Sequence, residues 1–269
     1  MRRLLVLLAG QSNMSGRDYA EKEDLIEIPD LLMMAKDLRW RPAIEPITRD
    51  RSFVGIFDAE GNKLVTADPW DNVLPDDDSR RARGVGPGRT FGRLLLEANP
   101  GCEVGLIPMS VGGTGLVSWM PGGEDKWEPN VHPYDEAIRT AREAQKSGEI
   151  VAILWHQGEN DAANMNLNYK GELRTVIENF RRDLKLDDKV PFIMGELGSF
   201  YNTIDMKGIA MVDEAMHQLA AEMKGVYVVP AKDLGHRGDN LHFNRQAAIT
   251  LGQRYFEAYR TWSSQMVNE

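Results

Sequence analysis

Five short apolar runs, separated mostly by segments of helical periodicity, constrain this chain more than any other feature of its sequence. The runs are residues 4–9, 103–107, 150–155, 190–194 and 226–229. Each is short, apolar and β-favouring, which suits inner strands of a parallel sheet. Between them, Leu173, Val176, Ile177, Phe180 and Leu184 form a helical stripe. Ile209, Val212, Met216, Leu219 and Met223 form another, and Tyr134, Ala137, Ile138 and Ala141 a third. Asn244 stands where an N-cap is needed for a last helix through Ala248, Leu251, Tyr255 and Tyr259. Strands alternating with helices predict a parallel sheet covered on both faces, with right-handed crossovers. The alternation meets no break in composition, so we read residues 1–269 as one domain.

Residues 17–83 are the exception. They carry many charges, scattered prolines and the run Asp76-Asp77-Asp78, with no strong periodicity. A long irregular excursion of this kind is expected to border the active site or cover a helix face. Gly86-Pro87-Gly88 then leads into a helix around Phe91, Leu94 and Leu95. No Lys-Ser/Thr follows, so this is not a phosphate loop.

Composition narrows the function. A net charge of -9 argues against nucleic acid and anionic membranes as partners. Cys102 is the only cysteine, which excludes an intrachain disulfide and a cysteine-based zinc site. Its place at the start of an apolar run predicts a small buried residue. Arg2-Arg3 before a leucine-rich run resembles the start of a signal peptide, but Gln11-Ser12-Asn13 follows without a small-residue cleavage pattern. We read this run as the first strand and expect a cytoplasmic location. A secreted or periplasmic one is the alternative if an export signal once preceded the sequence.

The strand ends are polar in a particular way. The first is followed by Gly10-Gln11-Ser12-Asn13-Met14, which offers a serine at the carboxyl edge of the sheet, where open α/β folds place their chemistry. The second is followed by Ser110-Val111-Gly112-Gly113-Thr114, whose paired glycines let backbone N–H groups approach a substrate, as an oxyanion site requires. After the third comes His156-Gln157-Gly158-Glu159-Asn160-Asp161, where Gln157 and Asn160 both carry neutral amide donors. Trp119 and Trp155 are candidate apolar walls. After the last strand, Asp239 and His242 stand three apart and can face the same way, so that the acid orients the imidazole while its other nitrogen takes a serine proton. His217 falls in a helical stripe and reads as structural or exposed. His132 and His236 fall in loops without an evident partner. No His-x-x-x-His or His-Glu-x-x-His spacing occurs, so neither metal nor other cofactor is called for.

These blocks, in this order, resemble the SGNH/GDSL hydrolase superfamily. Within it, the chain is similar to the sialate O-acetylesterase-like and acetylxylan-esterase-like domain of carbohydrate esterase family six. The resemblance rests on Gly10-Gln11-Ser12-Asn13-Met14, on Gly112-Gly113-Thr114 with Trp119, on Trp155 to Asp161, on Asp239-Asn240-Leu241-His242 and on Gly86-Pro87-Gly88 with Phe91. It covers nearly the whole chain and is weakest over residues 17–83.

The resemblance implies a flavodoxin-like, three-layer α/β/α sandwich with a central five-stranded parallel sheet. It makes Ser12 the nucleophile, His242 the general base and Asp239 its orienting acid. The oxyanion donors would be the Ser12 N–H, a backbone N–H at Gly112 or Gly113, and the side chain of Gln157 or Asn160. Glu159 would be a second carboxylate close to His242, and Gln11, Trp119 and His156 substrate-binding residues. The implied partner is a small-molecule or oligosaccharide acetyl ester, either acetylated xylan or O-acetylated sialic acid. A general short-chain carboxylesterase and a non-catalytic carbohydrate-binding protein on the same scaffold are the alternatives. The sequence leaves the oligomeric state undetermined.

Overall fold

The computed structural model describes residues 2–48, 55–58 and 80–266, with backbone alone for 55–58 and 80–83. At its centre lies strand β1 (Arg2–Gly10), the run that resembles a leader in sequence. From Leu4 onward every residue of β1 is buried, because strands flank it on both sides and helices cover both faces. Its side chains alternate between two cores. Leu5, Leu7 and Ala9 enter one, with Ile138, Phe180 and Val212. Leu4, Val6 and Leu8 enter the other, with Phe91, Leu251 and Tyr255. Period-two alternation thus builds the three layers from one strand.

Chain order from the start gives α1 (Ser12–Ser15), β2 (Asp18–Tyr19), β3 (Leu31–Met34), β4 (Trp40–Pro42), β5 (Gly55–Asp58) and β6 (Arg80–Val85). It continues through α2 (Pro87–Ala98), β7 (Cys102–Ser110), α3 (Pro133–Ala144), β8 (Glu149–His156), α4 (Glu159–Ala163) and α5 (Tyr169–Leu184). The last elements are β9 (Phe192–Gly195), α6 (Met206–Glu222), β10 (Val226–Val229) and α7 (Arg245–Met266). The main sheet runs β10-β9-β8-β1-β7-β3-β4, and a second sheet runs β2-β6-β5. All pairings from β10 to β3 are parallel, and β4 returns antiparallel to β3.

Seven strands replace the expected five. The five expected strands form β10-β9-β8-β1-β7 and give the flavodoxin-like order when numbered along the chain. The other two come from the stretch read as irregular. Leu31 and Met33 pack on the same core as Leu4 and Val6, so this segment extends the sheet beyond β7. The acidic run at residues 76–78 lies outside the described residues. Among the described residues, no helix is long and apolar enough to cross a membrane. The expected helices form, and the Asn244 Oδ1 atom accepts the Ala247 N–H at 2.8 Å, the bond of an N-cap to its third helical residue. Cys102 is half-buried at the start of β7 rather than enclosed.

Candidate active site

β1 ends at Gly10, whose φ of 135° takes the chain out of the sheet. A Cβ there would lie 2.1 Å from the His156 carbonyl oxygen, so only glycine fits between the ends of β1 and β8. The Gln11 N–H then donates to that carbonyl at 2.8 Å, and Ser12 begins the short helix α1. Gly86 supports α1 from behind. A Cβ there would lie 2.5 Å from the Met14 carbonyl oxygen, and Pro87 opens α2 just after it. Ser12 thus sits at the carboxyl edge of the sheet, in the crevice where the strand order reverses.

The loop between β10 and α7 brings Asp239 and His242 to the same place. His236 Nδ1 accepts the N–H groups of Gly238 and Asn240 at 3.1 Å each, and the Arg237 N–H donates to the His242 carbonyl at 3.0 Å. Asp239 Oδ1 accepts the N–H groups of Leu241 and His242 at 3.0 and 2.8 Å. Its Oδ2 lies 2.8 Å from His242 Nδ1, and His242 Nε2 lies 3.1 Å from Ser12 Oγ. The Asp-His-Ser chain is complete.

Asn13 fastens this loop to the strand end that carries Ser12. Its Oδ1 accepts the Phe243 N–H at 3.0 Å, and its Nδ2 donates to the Leu241 carbonyl at 3.2 Å. The two bonds fall on either side of His242. Nδ2 also donates to Glu159 Oε1 at 2.5 Å, where the Tyr201 hydroxyl donates at 3.3 Å. A buried amide satisfied on both its oxygen and its nitrogen holds one geometry.

Electrostatics prepare the imidazole. Burial pushes the His242 pKa below its usual 6.5, Asp239 opposes this through its hydrogen bond, and Arg17 and Arg237 push it down further. Burial pushes the Asp239 carboxyl up, but the hydrogen bonds from His242 and Leu241 outweigh it and hold the group below the usual range. Near neutral pH, Asp239 is therefore ionised and His242 neutral, which suits a base. We expect kcat/KM for 4-nitrophenyl acetate to fall as acid protonates His242, with a midpoint below pH 6.5 and a plateau above it. A midpoint above 6.5 in the pH–rate profile would contradict this assignment.

The glycine block lies beside Ser12. Val111 N–H donates to the Gly10 carbonyl at 2.9 Å, and Asn160 Nδ2 donates to the Gly113 carbonyl at 2.9 Å. The sequence profile described as "Carbohydrate esterase, sialic acid-specific acetylesterase" matches residues 2–261. The chain belongs to this carbohydrate esterase family. A probable carbohydrate esterase of Arabidopsis thaliana is 30% identical over 275 residues, covering 95% of this chain and 89% of its own. The crystal structure of that Arabidopsis protein superposes with a TM-score of 0.71 at 26% identity, covering 96% of this chain and 98% of its own. The crystal structure of NanS has the same fold, with a TM-score of 0.72 at 14% identity and 98% of each chain covered.

Within this member of the carbohydrate esterase family, the candidate residues divide by what they touch. Ser12, Asp239 and His242 come together, with Gly112, Gly113 and Asn160 alongside. Gln157 does not reach a substrate. It is fully buried and its Nε2 donates to the Thr114 carbonyl at 3.0 Å and to Asp161 Oδ2 at 2.5 Å. Trp119 and His156, expected to bind substrate, are both 0% exposed and are corrected to core residues. Trp119 packs edge-on against the equally buried Trp155 and donates from Nε1 to Thr114 Oγ1 at 3.0 Å. Burial pushes the His156 pKa down to about 3, which keeps it neutral in the core. Gln11 is buried, and its Oε1 faces the Gln157 amide and the Asn160 N–H at 3.4 and 3.5 Å.

The second carboxylate is corrected as well. Glu159 is buried and bonded to Asn13 and Tyr201 rather than to His242, and its link to the His242 loop runs through Asn13. Sequence reasoning missed Asn13 itself, although it stands directly after the candidate serine. Tyr201 had no sequence signal.

Proposed function

We propose that this protein removes O-acetyl groups from a carbohydrate through an acetyl-serine intermediate. The carrying observation is the continuous chain from Asp239 Oδ2 through His242 to Ser12 Oγ, with links of 2.8 and 3.1 Å. His242 Nε2 takes the Ser12 hydroxyl proton as Oγ bonds to the acetyl carbonyl carbon, giving a tetrahedral oxyanion. The C–O bond to the sugar then breaks, and the sugar oxygen leaves with the proton from His242. Water, deprotonated by His242, attacks the acetyl-serine and releases acetate and Ser12. Asp239 holds the imidazole so that Nε2 faces the serine, and it stabilises the imidazolium in both halves of the cycle.

The Ser12 N–H, a glycine N–H from residues 112–113 and the Asn160 amide are the oxyanion donors in this reading. Asn160 is favoured over Gln157 because only one of its Nδ2 hydrogens is taken, by Gly113, whereas Gln157 spends its amide on Thr114 and Asp161. Asn160→Ala is expected to lower kcat by about 10²–10³-fold with little change in KM, the usual effect of losing one oxyanion donor. An unchanged kcat would remove Asn160 from the hole.

The proposal is tested by acetate release from acetylated xylo-oligosaccharides and from O-acetylated sialic acid, together with labelling by a fluorophosphonate probe. Release from either sugar and labelling that disappears in a Ser12 variant are expected. Labelling without release from any acetylated sugar would leave a serine esterase of another substrate class.

A further inference from the structure

The two tryptophans that the sequence offered as walls are buried, yet a third is not. Trp127 is 62% exposed, unusual for so large an apolar ring. It does not hang free of the site. A Cβ on Gly113 would lie 3.3 Å from Trp127 Nε1, so the indole edge rests against the backbone of the glycine block. That block is joined to Asn160 by the Nδ2 bond to the Gly113 carbonyl, and the Asn160 N–H faces Gln11, the residue before Ser12.

The loop carrying Trp127 is built rather than loose. The Trp127 N–H donates to Asp125 Oδ1 at 3.0 Å, and the Asp125 N–H donates to the Val131 carbonyl at 2.8 Å. Farther along, His132 Nδ1 lies 3.1 Å from the Gly123 carbonyl, which closes the loop on itself. Lys126 Nζ stands over one face of the indole ring, 5.1 Å from its centroid, so the opposite face is the one available to a sugar. Directly beyond Trp127, Glu128 and Val131 line a cavity of about 300 Å³ that extends to Val111 at the glycine block.

We propose that Trp127 is the platform on which the sugar ring of the substrate stacks while its acetyl group enters the Ser12 site. This rests on the carbohydrate deacetylase reading above. A pyranose presents a face of C–H groups ringed by hydroxyls, so it suits a flat, exposed indole bordered by polar groups. A rigid aromatic surface provides that contact with little loss of conformational entropy. The adjoining cavity has room for hydroxyls or a further sugar unit, and its lining mixes apolar side chains with Lys36, Glu136 and Arg139. The location matters as much as the ring. An exposed tryptophan against the oxyanion block selects by binding the leaving group, not by taking part in acyl transfer.

The test compares Trp127→Ala, Trp127→Phe and the parent enzyme. For acetylated xylo-oligosaccharides and O-acetylated sialic acid, Trp127→Ala is expected to lower kcat/KM at least tenfold, chiefly through KM. For 4-nitrophenyl acetate, which has no sugar, the change should stay within about twofold, and Trp127→Phe should retain most of the sugar activity. The sugar whose turnover falls identifies which source the platform serves. Inhibition of 4-nitrophenyl acetate hydrolysis by the unacetylated sugars gives a readout that needs no deacetylation, and it should weaken at least tenfold in Trp127→Ala. Equal inhibition of parent and variant overturns the platform while leaving the deacetylase reading standing. Equal losses on sugar and non-sugar esters overturn it too, because they assign Trp127 to support of the glycine block. A parent that hydrolyses no acetylated sugar, yet shows Trp127-dependent inhibition by one, overturns the deacetylase reading and supports the platform.

Discussion

Ser12→Ala is expected to lower kcat for 4-nitrophenyl acetate by about 10⁴-fold or more, in line with removal of the nucleophile from comparable serine hydrolases. The fold should not change. Ser12 opens a four-residue helix held by Gly10, Gly86 and the Gln11 backbone, and its hydroxyl is bonded to His242 Nε2. Removing that oxygen leaves Asn13 and its bonds to the His242 loop in place, so the melting temperature should stay within a few degrees of the parent. Activity within tenfold of the parent, measured on protein shown to be folded by circular dichroism, would remove Ser12 from the nucleophile role.

Asp239→Asn is the second large effect. The side-chain oxygen of the replacement amide can still accept the N–H groups of Leu241 and His242, as Asp239 Oδ1 does. Its NH₂ group then faces His242 Nδ1 and favours the tautomer whose proton sits on Nε2. In that state the imidazole donates to Ser12 and cannot take its proton. A loss in kcat of about 10³–10⁴-fold is expected, as for the same change in other triads. Glu159 offers no replacement, because the Asn13 amide stands between its Oε1 and the loop that carries His242. Retention of more than a tenth of the parent kcat would show that another acid orients His242.

Much of this architecture is legible in the sequence. Five strands of the main sheet are visible as short apolar runs, four of them inner strands and the fifth, β10, at the sheet edge, and α5 and α6 are visible because one buried stripe repeats at helical spacing. The strand-end blocks carried Ser12, Gly112, Gly113, Asp239 and His242 to one edge. By contrast, β3 was hidden. Leu31 to Met34 is only four residues long, lies among charges, and includes two methionines, which are weak strand signals.

The binding residues were hardest to read. Sequence does not distinguish a tryptophan that fills a core from one that faces solvent, so Trp119 and Trp155 drew attention while Trp127 did not. The hint was the company Trp127 keeps, since Glu124, Asp125, Lys126 and Glu128 surround it with charge. Glu159 failed for a related reason. Its position three residues after His156 shows that it lies near the sheet edge, but not that Asn13 stands between it and His242.

The bracket formed by Asn13 also ties catalysis to completion of the fold. Ser12 leaves the central strand near one end of the chain, and His242 precedes the final helix 230 residues later. Asn13 reads both at once, through the atoms on either side of His242. A folding intermediate with β1, β7 and β8 assembled but the last loop undocked would hold Ser12 without its base. In the proposed reaction, hydrolysis therefore needs the loop between β10 and α7 docked on the end of β1, and recovery of activity during refolding should follow that docking rather than formation of the central strands alone.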